Sequence, residues 1–222
     1  MAQSFAPDAI RACWNTVSQA VPEARFGGIA NPGAPRAFGY HNARNNHLRF
    51  SPNDYSIQRP DDRAGNGWAG SALDITLPDR LMPVLTQRLI DATLRNDNRV
   101  WCVREFFGTV NGRTVTGLDV RDRRWVSADN SHLWHIHISF YRRFATDHSR
   151  MQGVAGVLIG TNRPQGGGNL NRDQTEALIA QAMRAGLLGG DRGPFTRKKY
   201  PNWVREAARS ALSRIHALEQ RR

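Results

Sequence analysis

Cysteine is almost absent from this 222-residue chain: Cys13 and Cys102 are too few and too far apart for a disulfide framework or a Cys-x-x-Cys metal site, and they read as buried thiols. Lysine is confined to Lys198 and Lys199, so the net charge of +12 is carried almost wholly by arginine. Such a charge suits a polyanion, either nucleic acid or the acidic polymers of a bacterial cell wall, although arginine bias also follows from a GC-rich genome. No apolar run approaches the ~20 residues that a bilayer-spanning helix needs. The opening Met1-Ala2-Gln3-Ser4-Phe5-Ala6-Pro7-Asp8 lacks a charged region followed by an apolar stretch, so no Sec signal is expected. Internal repeats, phosphate-cradling glycine motifs, helix-turn-helix, zinc-finger and aromatic RNA-binding patterns are missing too, which disfavours nucleic acid as a partner. What is present is 40% hydrophobic content, enough for a sizeable core.

The spacing of Ile10, Cys13, Trp14, Val17 and Val21 predicts an amphipathic helix from Pro7 to about Val21. Between residues 27 and 66, glycine, proline and asparagine leave room for few regular elements; a connection this long in a compact domain is either disordered or functional, and its aromatic and histidine content favours function. Ala72-Leu73-Asp74-Ile75-Thr76-Leu77 reads as a strand ended by Pro78, with Asp74 facing away from Leu73, Ile75 and Leu77. A buried carboxylate there needs a metal, an arginine or backbone donors. A helix from Pro83 to Asn96 follows, then strands Val100–Val110 and Arg113–Val120 joined at Asn111-Gly112, a dipeptide favoured in two-residue hairpins.

His132-Leu133-Trp134-His135-Ile136-His137-Ile138-Ser139-Phe140 is the most chemical stretch of the sequence. As a strand, Trp134–Tyr141, it puts His135, His137 and Ser139 on one face and Trp134, Ile136, Ile138 and Phe140 on the other. Neutral imidazole is both a metal ligand and a general base, although an isolated His-x-His also fits a solvated sheet face. The order of elements predicts an α+β fold with a mainly antiparallel sheet and helices on one side, occupying residues 1–160. Residues 161–170 read as a Gly/Pro linker and 171–222 as a basic helical region, because residues 193–222 hold eight Lys/Arg against two Asp/Glu. Trp68, Trp101, Trp125 and Trp203 read as core or groove wall.

Ser71-Ala72-Leu73-Asp74-Ile75 taken with His132-x-x-His135-x-His137 resembles the zinc peptidases of the hedgehog/DD-peptidase superfamily. These include D-alanyl-D-alanine carboxypeptidases and phage endolysins that cut L-alanyl-D-glutamate bonds. Their first motif runs Ser-x-His-x-x-Gly-x-Ala-x-Asp, which Gly70, Ala72 and Asp74 match, and their second ends in His-x-His or an acid-x-x-His. The resemblance covers roughly residues 38 to 142. It implies a zinc cofactor, Asp74 and His137 as ligands, His135 or a nearby acid as base, and a peptidoglycan stem peptide as substrate. Asp129 and His132 are then candidates to orient the base or replace it, with a turn residue the other reading of Asp129. Arg59 and Arg63 are candidates to receive a substrate carboxylate, or else solvated loop charges.

The chain departs from that pattern at Gly67 and Gly65, which stand at the family's histidine and serine positions. Catalytic zinc generally takes three protein ligands. Either His41 supplies the third across an inserted loop over 42–68, with His47 a weaker substitute, or the fold is a non-catalytic module. The expectation is therefore a metal-dependent peptidoglycan peptidase of the endolysin kind, made without a signal in a host cytoplasm and acting at the wall after release, or carried on a phage virion. The alternative is a non-catalytic virion or cell-wall-binding protein with a degenerate peptidase fold. The expected partners are peptidoglycan or another anionic wall polymer and, for a virion-borne form, phage virion proteins.

Overall fold

The computed structural model describes residues 4–161. The rest of the linker from residue 162, the basic helical region and Trp203 lie outside the described residues. Among the described residues, no helix is long and apolar enough to cross a membrane.

Asp8–Ala20 forms α1, with Ile10, Cys13 and Val17 buried along one stripe as the helical period requires. Arg25–Gly28 is a short strand, β1. The stretch expected to be largely irregular holds two short helices, α2 (Arg44–Phe50) and α3 (Pro60–Arg63), with a 3-10 turn at Tyr55–Ile57 between them. Ala72–Thr76 is β2, as the alternation of Leu73 and Ile75 with Asp74 foretold, and Met82–Leu94 is α4, with proline in its first turn. Then come β3 (Val103–Gly108), β4 (Thr116–Asp119), β5 (Arg124–Val126), β6 (His135–Phe140) and α5 (His148–Ile159). The Asp147 side chain caps α5, and Gly160, at φ +76°, ends it in the left-handed conformation.

The six strands form one sheet in the order β1-β2-β6-β3-β4-β5, and every neighbouring pair is antiparallel. The last strand in sequence therefore lies between β2 and β3. Leu73, Ile75, Phe106, Leu118, Ile136, Ile138 and Phe140 pack in one cluster with residues of α1, α4 and α5, so these helices cover one face of the sheet. Each such large side chain contributes about 1.5–3 kcal/mol on burial. Asp74, Glu105, His137 and Ser139 lie on the opposite face, since strand side chains alternate.

Three expectations about local structure are corrected. Trp134 is 55% exposed and ends a 3-10 turn, so β6 begins at His135 and Trp134 is no part of the core. The connection from β3 to β4 is longer than two residues. Thr109 Oγ1 accepts from the Asn111 and Gly112 amides, and Asn111 Oδ1 from those of Arg113 and Thr114, so side chains supply the turn and hold 109–115 out of the sheet. Trp101 is 54% exposed, so it is no part of the core, and it does not line the cleft that opens onto His41 and His137. Both cysteines are free buried thiols, and burial pushes each up to about 12.

Candidate metal centre

β2 and β6 pair in a register that sets Asp74 directly opposite His137. Asp74 Oδ1 lies 2.7 Å from His137 Nδ1. His41 arrives from the loop between β1 and α2, with its Nε2 3.0 Å from Asp74 Oδ2 and 3.2 Å from His137 Nδ1. Residues distant in sequence thus present a carboxylate and two imidazole nitrogens to one point, an arrangement that can hold a metal ion. These separations, 2.7 to 3.2 Å, are hydrogen-bond distances, and a bound ion with bonds of ~2.0–2.1 Å would have the three atoms open slightly to about 3.3 Å.

The path of the chain explains how a loop residue comes to sit there. The Gly39 amide donates to Asp54 Oδ2 at 3.0 Å, and the Gly39 carbonyl accepts from His47 Nε2 at 2.8 Å. His47 is fully buried in that task, so of the two histidines weighed as the third ligand it is His41 that reaches the centre. Gly39 itself has φ +77°, a turn that side chains resist. Beyond it, the Arg142 guanidinium lies over the Tyr40 ring and donates to the Asn42 carbonyl at 2.9 Å, and the Ser71 amide donates to the Tyr40 carbonyl at 2.8 Å. The residues flanking His41 are therefore tied to the start of β2. Its Nδ1–H donates to the Ile29 carbonyl at 2.9 Å, which turns Nε2 towards Asp74 and His137, where it hydrogen-bonds Asp74 and would be the ligand atom for an ion.

Gly67, where the resemblance called for a histidine, is packed against the side-chain ends of Asn45 and Arg44, so a side chain there would have to displace them. The Gly67 carbonyl accepts from the Asn45 amide at 3.0 Å. The segment 42–68 leaves the site and returns at β2, carrying α2 and α3 as it goes. Gly27 is also constrained: a β-carbon would lie 2.6 Å from Asp74 Cβ, at a register irregularity between β1 and β2. Gly27→Ala should therefore displace Asp74 and weaken metal binding by about 10-fold or more, the scale of losses beside a ligand, read by chelator competition.

Burial works against a charged Asp74, yet hydrogen bonds from His137 and His41, and their charge, hold its carboxyl well below the usual carboxylate range. Burial also depresses His41, but Asp74 more than reverses this and raises it; in His137 burial wins and the ring is lowered. One carboxylate thus stands between two imidazoles of opposite tendency.

A cleft of about 430 Å3 opens onto His41 and His137, walled by Phe38, Tyr40, Tyr55 and Phe107 and rimmed by Val126 to Asp129 and His132. His132 directs Nδ1 to the Asp129 carbonyl at 3.1 Å, and its ring centroid lies 4.8 Å from that of His135. His135 stands outside the cleft lining, with Nε2 3.9 Å from Asp74 Oδ1, and burial lowers its pKa. Asp129 caps the turn at Asn130–Leu133 by accepting from the Ser131 amide at 2.8 Å, and hydrogen bonds from the Ser131 side chain and from that amide lower its pKa. It is a turn residue on the cleft rim.

The two arginines expected to receive a substrate carboxylate do not line this cleft. Arg59 pairs with Asp122, distant in sequence, at 2.9 Å, and Arg63 donates to the nearby Gln58 carbonyl at 2.8 Å, both exposed contacts. Sequence reasoning passed over Glu105, a buried acid on the cleft wall whose pKa burial raises. The alternation Glu105-Phe106-Phe107 was its signal, because it places Glu105 and Phe107 on the face opposite the core residue Phe106. Compared with protein-family models, curated proteins and solved structures, the chain matches none.

Proposed function

We propose that the chain is a metal-dependent peptidase that cuts an amide bond in a peptidoglycan stem peptide, on a hedgehog/DD-peptidase-like fold. The observation that carries this reading is the convergence of His41 Nε2, Asp74 and His137 Nδ1 beside an open cleft. Two nitrogens and an oxygen suit zinc, and a three-ligand protein set leaves a position for water or substrate. Zinc, when bound, polarises an amide carbonyl and acidifies water.

The chain's own groups supply the rest. Asp74 brings the negative charge, and the Ile29 carbonyl fixes the orientation of His41. His135 Nε2, outside the ligand trio and 3.9 Å from Asp74 Oδ1, is placed to take a proton beside the centre. His132 and the aromatic walls Phe38, Tyr55 and Phe107 form the surface against which a peptide would lie. The alternative of a non-catalytic wall or virion protein drew its support from Gly67; with His41 beside Asp74 and His137, Gly67 no longer favours it.

Purified muropeptides incubated with the full chain should be shortened, and mass spectrometry of the products would identify the bond. Cleavage should stop with a chelator and return with zinc. Muropeptides left intact by zinc-loaded protein would remove the peptidase reading while leaving the metal centre to be judged separately.

A further inference from the structure

Behind His137 lies a row of hydrogen-bonding groups that are not metal ligands. Ser139, two residues along β6 on the same face, has its Oγ 2.9 Å from His137 Nε2 and 3.4 Å from Glu105 Oε1. Glu105 is the cross-strand partner of Ser139 on β3, and its carboxylate is also hydrogen-bonded by the Tyr55 phenol. Ser139 is fully buried and Glu105 is 5% exposed, so water does not compete freely for these contacts.

The direction of the row follows from what each group can donate. A carboxylate only accepts, and a serine hydroxyl has one hydrogen. When an ion takes up His137 Nδ1, the ring hydrogen must sit on Nε2; the Ser139 oxygen then accepts from Nε2–H at 2.9 Å and gives its own hydrogen to Glu105. Without an ion Nδ1–H donates to Asp74 at 2.7 Å; the row supports the other ring form, in which the lone pair on Nδ1 faces His41 and Asp74 and can bind a metal. We infer that Ser139 and Glu105 are positioning residues for the metal centre, supporting through this one-way row the ring form in which His137 Nδ1 is a metal ligand. The inference rests on the metal-centre reading above. His41 gets the same service from a backbone carbonyl; His137 needs two side chains from two strands, since its ring nitrogen points along the sheet face rather than at main chain.

The test compares full-length wild type with Ser139→Ala, Ser139→Thr and Glu105→Gln, titrated with zinc against a chelator and with cobalt(II) while its visible absorption is followed. Glu105→Gln is nearly isosteric, but its amide can donate to Ser139, which turns the hydroxyl hydrogen towards His137 and moves the ring hydrogen to Nδ1. Ser139→Ala and Glu105→Gln should each lower zinc affinity by about 10- to 100-fold and alter the cobalt spectrum, with Ser139→Thr restoring both. Should Ser139→Ala fail to fold, Glu105→Gln carries the test alone. Wild-type affinity and spectrum in Glu105→Gln would overturn the inference, as would a Ser139→Thr variant as weak as Ser139→Ala. Wild-type protein that binds neither ion would instead overturn the metal centre itself, a result distinct from variants that match a metal-binding parent.

Discussion

His41→Ala, Asp74→Ala and His137→Ala should each yield a folded protein that no longer retains zinc through dialysis, where wild type retains about one ion per chain. The three changes should act alike although they lie on a loop and two strands, because the three ligand atoms meet at one point. His41→Ala is the most informative of the set. If Gly67 marked a lost site, Asp74 and His137 alone would hold metal poorly in wild type, and removing His41 would change little. Peptidase activity should fall with the metal. Lewis-acid stabilisation is worth several kcal/mol and ~1.4 kcal/mol is tenfold in rate, so the loss should be on the order of 10^3- to 10^4-fold. Folding should survive, since Leu73, Ile75, Ile136 and Ile138 anchor the same strands from the other face. His47→Ala separates the two histidines of this segment: it removes the donor to the Gly39 carbonyl and should lower thermal stability as well as metal retention.

The second large effect concerns a group beside the metal rather than on it. His135→Ala should keep its zinc and lose about 10^2- to 10^4-fold in kcat on stem peptides, the usual range for a general base. Its Nε2 stands 3.9 Å from Asp74 Oδ1 and outside the ligand trio, so the ring can exchange a proton at the centre without holding the ion. His132→Ala should act more on KM, because its ring lines the cleft and packs on His135. Loss of zinc in His135→Ala would reassign that ring as a ligand, and unchanged kcat with zinc retained would remove it from proton transfer.

How much of this could be read from the sequence differs by residue, for physical reasons. Asp74 and the His135–His137 pair stood out because a strand's two-residue period makes a polar side chain among Leu73, Ile75, Ile136 and Ile138 visible as a departure from the core face. Helices α1 and α4 were legible by the same logic at the helical period. The pairing of Asp74 with His137 was not, since register depends on the neighbouring strand and not on either segment alone. His41 could be named a candidate, but its approach is set by distant groups, namely Asp54, His47 and Arg142, which grip the residues around it.

Helix α5 left little trace because Gly153 and Gly156 interrupt its apolar pattern, and Gly153 lies where a β-carbon would be 3.3 Å from Arg99 Cβ. β1 ends in two glycines and β5 is three residues long, preceded by Arg123 at φ +48°, so neither carries a run of alternation long enough to recognise. Trp134 was misplaced because one aromatic extends the strand pattern as well as it ends a turn. The side chain of Asp129, capping that turn, decides the matter by stopping β6 at His135.

The central claim is that His41, Asp74 and His137 share one metal ion. Anomalous diffraction at the zinc edge, from crystals of full-length zinc-loaded protein, tests it most directly. The account predicts a single strong peak within ~2.0–2.2 Å of His41 Nε2, an Asp74 oxygen and His137 Nδ1. A peak that lacks His41 in its shell, or protein that takes up zinc with no peak between β2 and β6, would contradict it.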